Sequence, residues 1–208
     1  MKIKICGLKE IHHAVKAAEL GADFLGFVFT KSPRRVRLDL ARDIIRELPP
    51  SVAKVGVFVD EAPETVNSIA DFCWLDYVQL HGQETPEYCM DISRPVIKAF
   101  RIKDATDLDE IKSYRDVAEM FLLDAYVPGT AGGTGKTFDW SIARQAGRYG
   151  KIILAGGLTP ENVRLAAAAA QPYGVDVSSG VETGGIKDLA KIAAFMGMVR
   201  GRDDVFTT

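Results

Sequence analysis

The chain has 208 residues, of which 47% are hydrophobic, 26% charged and 9% aromatic. That composition excludes disordered, collagen-like and coiled-coil chains, and a chain of this length buries roughly 70% of its unfolded surface. With 26 Lys+Arg against 28 Asp+Glu and a net charge of -2, there is no broad basic field to hold a nucleic-acid backbone or an anionic membrane. Neither is an expected partner, and an anionic ligand has to be captured locally.

Three cysteines, Cys6, Cys73 and Cys89, stand at wide spacings, which gives neither a disulfide framework nor a CxxC motif. The expectation is reduced thiols in the cytoplasm. The opening Lys2-Ile3-Lys4-Ile5-Cys6 lacks the apolar core and small-residue cleavage site of a signal peptide, and no stretch approaches about 18 apolar residues. A protein neither exported nor membrane-spanning is expected.

Short apolar, β-branched and aromatic runs lie near residues 2–7, 24–29, 54–59, 77–81, 96–100, 120–124, 151–155 and 174–178. They are predicted strands. Between them, steps of three and four predict helices with buried faces at Ile11, Ala14, Val15 and Ala18; at Ala41, Ile44, Ile45 and Leu48; at Ala62, Val66, Ile69 and Cys73; and at Leu189, Ile192, Ala193 and Met196. Thr85-Pro86 and Thr159-Pro160 read as capping hydroxyls before a proline at the first helical position. Gly21 and Pro49-Pro50 read as terminators.

The strand starts recur about every 25 residues, so eight βα units consume residues 1–208 as a single domain. Such units close into a (β/α)8 barrel or lie open as a doubly wound sheet. The polar strand residues keep one parity: Lys4 with Cys6, Gln79 with His81, Asp176 with Ser178. Their apolar alternates suit covering helices. One polar parity fits the lumen of a closed barrel, with the site at the C-terminal strand ends, and the expected fold is the α/β single-domain (β/α)8 TIM barrel.

Cys6 closes the first strand ahead of Gly7, so it is either a packed, inert thiol or a base at the barrel rim whose pKa Lys4 depresses. Asp124, after Met120-Phe121-Leu122-Leu123, either organises a loop or serves as an acid opposite Cys6. Cys73 and Cys89 are assigned to packing. The loop Gly129–Thr137 ends in Gly-Lys-Thr but carries Thr130 where a Walker A motif needs glycine. It reads as a cover over the site or as a plain flexible connection.

Gly156-Gly157 and Ser178-Ser179 follow the seventh and eighth strands, the recurrent phosphate position of such barrels, although tight turns alone also use glycine. Arg34 in Lys31-Ser32-Pro33-Arg34-Arg35 supplies a guanidinium for a carboxylate, or belongs to a solvated loop. Gln79, His81 and Asp176 are lumen residues open to a substrate contact. His12-His13 is expected on a solvated helix start, and no metal site is expected.

In chain order, Lys4-Ile5-Cys6-Gly7, Gly26-Phe27-Val28-Phe29, Ser32-Pro33-Arg34, Gly56-Val57-Phe58-Val59 and Val78-Gln79-Leu80-His81-Gly82 are followed by two longer blocks. These are Gly132 to Trp140, and Gly156-Gly157-Leu158 with Asp176 to Glu182. Together they resemble the phosphoribosylanthranilate isomerases of tryptophan biosynthesis over nearly the full length. The resemblance implies an Amadori rearrangement of a phosphosugar without metal or organic cofactor. It implies Asp124 as the acid that opens the furanose ring, Cys6 as the base that removes the C2′ proton and Arg34 on the anthranilate carboxylate. It further implies that the backbone around Gly156, Gly157, Ser178 and Ser179 binds the phosphate. Arg35 stands where the family commonly has an aromatic residue, so both arginines are candidates, and Thr183 to Asp188 is shorter than usual. Monomer and homodimer are equally open. The competing readings are another phosphosugar barrel, either isomerase or lyase, and a phosphate-ligand sensor without turnover.

Overall fold

The computed structural model describes residues 1–102, 105–124 and 140–201. Eight parallel strands follow one another around a closed barrel: β1 (Lys2–Cys6), β2 (Phe24–Val28), β3 (Ala53–Phe58), β4 (Tyr77–Leu80), β5 (Val96–Arg101), β6 (Met120–Asp124), β7 (Ile152–Ala155) and β8 (Gly174–Val177). β8 closes on β1 with Lys4 opposite Asp176. The expected TIM barrel is present, and all eight predicted strands differ from it only at their ends. Between the strands lie α1 (Ile11–Glu19), α2 (Leu38–Arg46), α3 (Pro63–Phe72), α4 (Pro86–Met90), α5 (Leu108–Ile111), α6 (Trp140–Ala146) and α7 (Val163–Ala170), and α8 (Leu189–Arg200) follows β8. A two-stranded hairpin, β9 (Glu182–Thr183) with β10 (Ile186–Lys187), interrupts the passage from β8 to α8. Among the described residues no helix is long and apolar enough to cross a membrane.

Alternation along the strands sorts the core. Ile3, Ile5, Val78, Leu80, Val175 and Val177 join the large outer cluster under the helices. Phe24, Val55, Ile97, Ala99, Met120, Leu122, Ile153 and Ala155 form a second buried cluster that fills the lumen. Cys6, Val28 and Val57 make a small third cluster one strand step higher. The floor of the barrel is therefore packed, and polar side chains gather above it.

The helix faces fall partly as the spacing predicts. Ala41, Ile44 and Ile45 are buried on α2, and Ile192 and Met196 on α8. On α1 the buried face is instead His13, Ala14 and Ala17, with Ile11 43% exposed. Two alanines let this helix approach the barrel closely, and the inward stripe turns away from Ile11. On α3, Val66 and Ala70 are buried while Ala62 is exposed before the helix.

Thr85 caps α4, its side chain accepting from Tyr88 N, with Pro86 as first helical residue. Thr159-Pro160 does not cap α7, which begins at Val163. Asn162 stands at the N-cap position without a side-chain cap bond; its Oδ1 accepts from Thr159 N at 2.8 Å and its Nδ2 donates to Gly157 O at 2.9 Å, pinning the loop after β7. Cys89 packs on α4, and Cys73 sits just past the end of α3. Burial pushes both thiols up to about 11, which suits inert packing groups.

Candidate active site

The C-terminal ends of the strands surround a cavity of about 530 Å³, within the size range of small-molecule sites. Cys6, Arg34, Gln79, His81, Asp124, Gly156, Gly157, Asp176, Ser178 and Ser179 all line it. These ten site candidates from the sequence therefore meet at one mouth. Arg34 faces this cavity, whereas Arg35 lines a separate groove beside Phe29 and Leu38. Geometry thus separates two arginines that sequence left equivalent.

Cys6 is 7% exposed at the end of β1. Two features of β1 and β2 govern its surroundings. Lys4, two residues back on the same face, is fully buried and donates to Asp176 Oδ1 at 2.9 Å. Gly26 on β2 supplies the room: a Cβ there would lie 2.7 Å from Cys6 Sγ and 3.1 Å from Lys4 Nζ. Burial outweighs the opposing Lys4 ammonium, so the Cys6 pKa stands above its ordinary value and not below it as the sequence reading of a Lys4-depressed base expects. Burial alone would lower Lys4, but Asp176 and Cys6 outweigh it and hold its pKa above the ordinary value. Lys4 is thus a fixed cation beside the thiol.

Across the mouth, Asp124 ends β6 with its side chain partly exposed, and its Oδ2 lies 3.5 Å from His81 Nε2. Gln79 Nε2 lies 3.0 Å from His81 Nδ1. With the Gln79 amide donating to Nδ1, a neutral imidazole carries its proton on Nε2 and turns it toward Asp124. Gln79 Oε1 is buried without a protein partner among the described residues, a free acceptor next to the cavity. The loop after β4 is anchored from behind. Lys98 Nζ donates to Glu84 Oε2 at 3.0 Å and to Gly82 O at 2.8 Å, while Glu84 accepts from the Asp60 and Gly82 N–H groups.

Gly156 and Gly157 turn the chain at φ 87° and 65°, and Ser178 Oγ donates to Cys6 O at 3.1 Å. The loop after β8 thereby meets the rim of β1, while the loop after β7 starts beside Asp124, whose partner in the barrel is Ala155. Arg34 reaches the mouth past Gly7, where a Cβ would stand 2.6 Å from Arg34 Cδ. Its guanidinium is held by Glu182 through Nε at 2.8 Å and Nη2 at 2.7 Å.

The sequence marks Lys4 only as a neighbour of Cys6 and gives no role to Glu182 and Lys187. The signal for the latter pair lies in Glu182-Thr183-Gly184-Gly185-Ile186-Lys187, since Gly-Gly between short β-prone runs marks a tight hairpin. The Gly129–Thr137 loop lies outside the described residues. His13 is buried, contrary to the expected solvated pair, because α1 turns it inward. Glu10, His12 and His13 bring a carboxylate oxygen and two ring nitrogens within 4.8 Å of one another, a grouping that the sequence reading misses and that lies apart from the cavity lining.

A match over residues 3–198 to the model of the N-(5′-phosphoribosyl)anthranilate isomerase family decides the relationship. The chain belongs to that family. It is 51% identical to the N-(5′-phosphoribosyl)anthranilate isomerase of Moorella thermoacetica over 205 residues, 98% of this chain and 92% of the relative. The crystal structure of phosphoribosyl anthranilate isomerase from Thermotoga maritima superposes with a TM-score of 0.89 at 43% identity, covering 97% of this chain and 99% of that one. A second crystal structure of a phosphoribosyl anthranilate isomerase is 40% identical with a TM-score of 0.86 and the same coverage. That enzyme is in complex with reduced 1-(o-carboxyphenylamino)-1-deoxyribulose 5-phosphate.

Proposed function

We propose that this chain isomerises N-(5′-phosphoribosyl)anthranilate to 1-(2-carboxyphenylamino)-1-deoxyribulose 5-phosphate in tryptophan biosynthesis, as a single barrel domain. The observation that carries the reading is the arrangement at one cavity mouth of Cys6 and Asp124, with Arg34 and the Gly156–Gly157 and Ser178–Ser179 loops on the same rim. A small phosphosugar with an aromatic carboxylate offers a complement to each of these.

In this reading Asp124 protonates the furanose ring oxygen, the ring C–O bond breaks and a Schiff base forms at C1′. His81, with its Nε2 turned to Asp124, orients the carboxyl group, and Gln79 orients His81 in turn. The Cys6 thiolate, stabilised by Lys4, then removes the proton from C2′. The electron pair moves into the C1′–C2′ bond and neutralises the Schiff-base nitrogen, giving an enolamine that tautomerises to the ketone. Arg34 receives the anthranilate carboxylate, and backbone groups around Gly156, Gly157, Ser178 and Ser179 receive the phosphate. Asp176 serves chiefly as the counter-ion of Lys4 while contributing to the substrate wall. These roles use side chains and backbone groups of the chain and call on no cofactor or metal. The free thiols Cys6, Cys73 and Cys89 suit a cytoplasmic setting.

The test is turnover of freshly prepared phosphoribosylanthranilate by the purified protein in EDTA, following the product itself so that spontaneous hydrolysis of the substrate is not counted. Formation of the deoxyribulose product is the expected result. A folded protein that leaves the substrate to hydrolyse at its spontaneous rate contradicts the reading.

A further inference from the structure

The hairpin after β8 places two buried charges of opposite sign on one face. β9 and β10 pair antiparallel with Lys187 opposite Glu182, joined by Gly184 and Gly185 at φ 59° and 80°, the two positive values of a type I′ turn. Directly opposed residues project to the same side of a ribbon. Here that side faces the ends of β8 and the loop after β2. The Glu182 and Lys187 side chains are only 6% and 3% exposed.

Glu182 uses both carboxylate oxygens on Arg34. Oε2 accepts from Arg34 Nη2 at 2.7 Å, and Oε1 accepts from Arg34 Nε at 2.8 Å and from Lys187 Nζ at 2.6 Å. A guanidinium has two hydrogen-bonding edges that match a carboxylate. Glu182 occupies the Nε/Nη2 edge and leaves the Nη1/Nη2 edge of a residue that lines the cavity. Lys187 offsets the Glu182 charge, so the trio keeps a net charge of one positive unit, that of the guanidinium. Lys187 also donates to Ser178 O at 3.0 Å, which fixes the trio to the end of β8.

We propose that Glu182 is a positioning residue of this site: by gripping one edge of Arg34 it aims the other at the substrate carboxylate, with Lys187 as its counter-ion. The inference rests on the isomerase reading above and extends it to a residue that touches no substrate.

The experiment is steady-state kinetics with phosphoribosylanthranilate on the wild type, E182Q, E182D, R34A and the double variant R34A/E182Q, with inorganic phosphate as competitive inhibitor. Loss of an aimed fork removes binding common to ground and transition states, so E182Q is expected to raise KM about tenfold or more with a smaller change in kcat. E182D, which keeps the charge but retracts it, should fall between wild type and E182Q. Inhibition by phosphate should stay within about twofold of wild type, and E182Q should add nothing in the R34A background, because residues acting through one contact are non-additive. A wild-type KM in E182Q, a phosphate constant that rises in step with KM, or an E182Q effect of equal size with and without Arg34 each overturns the proposal. If E182Q melts before assay, the same criteria are read on E182D. Wild-type protein that fails to convert the substrate overturns the isomerase reading itself, whereas any of the other results with an active wild type overturns only the role of Glu182.

Discussion

Lys4 Nζ lies 2.9 Å from Asp176 Oδ1 across the seam where β8 closes on β1, and the space left by Gly26 brings the same ammonium up to the Cys6 thiol. A buried carboxylate, ammonium and thiol thus share one corner of the barrel mouth. The carboxylate holds the lysine charged, and the lysine favours the thiolate against the burial that disfavours it.

This corner has a pH signature. A thiolate base makes kcat/KM rise as pH rises through the Cys6 pKa. Lys4→Met removes the stronger opposing cation and leaves burial and Asp176, both of which raise that pKa, against only the weaker pull of Lys187. The rising limb should move to higher pH, and a move of one unit lowers kcat/KM at pH values below it about tenfold. A pH–rate profile of a variant with native circular dichroism checks this. A limb that stays in place contradicts the role of Lys4.

The two groups assigned to proton transfer should behave alike. Cys6→Ala and Asp124→Ala are each expected to lower kcat by about 10²- to 10⁴-fold, the worth of a positioned acid or base. KM should change little, since Arg34 and the phosphate loops are untouched. Single-turnover and steady-state assays measure this, and near-normal turnover in Cys6→Ala removes the thiol from the mechanism.

Fold and site were unequally legible in the sequence. Strand alternation puts Lys4, Cys6, Gln79, His81, Asp176 and Ser178 on one parity, and because parity in a closed barrel means lumen or surface, the residues of the mouth are legible in the sequence. The α1 face was misread because alanine is weakly apolar, so a stripe through Ile11 looked better than the Ala14–Ala17 stripe that packs. Arg34 and Arg35 were indistinguishable since adjacent loop residues carry no period. The Gly184-Gly185 turn signals the hairpin that pairs Glu182 with Lys187, but what joins the pair to Arg34 is a contact over 148 residues, and local patterns do not report such contacts.

Gly26 offers a test of the corner by crowding rather than by charge. In Gly26→Ala the new Cβ would stand 2.7 Å from Cys6 Sγ and 3.1 Å from Cys6 Cα, the second of which is backbone and yields little. Over-packing of this kind costs about 1 to 3 kcal/mol of stability. The same Cβ would stand 3.1 Å from Lys4 Nζ, so the thiol and the ammonium are pushed from their shared position, and kcat should fall well beyond the change in KM. Urea unfolding and kinetics on the same preparation measure both effects. A variant with full activity shows that the Cys6 position is not fixed by this contact.

At the opposite end of the barrel, Asp23 ties the start of β1 to the helix that completes the ring. It accepts from Lys2 Nζ at 2.8 Å, from Ile3 N at 2.9 Å and from Arg200 Nη2 at 2.9 Å. Burial alone would raise its pKa, but these partners outweigh it and hold the carboxyl below its ordinary 3.8. A carboxylate depressed in the folded state stabilises the fold at pH above its unfolded value, and that contribution disappears as pH falls through the folded value. Asp23→Asn keeps the shape and removes the charge. It should cost about 1 kcal/mol near neutral pH, discounted because Lys2 and Arg200 are partly in solvent. The gap between wild type and variant should close progressively as pH falls below the ordinary carboxyl value of 3.8. Urea unfolding of both proteins across that range tests the sign, and a gap that widens on acidification contradicts it.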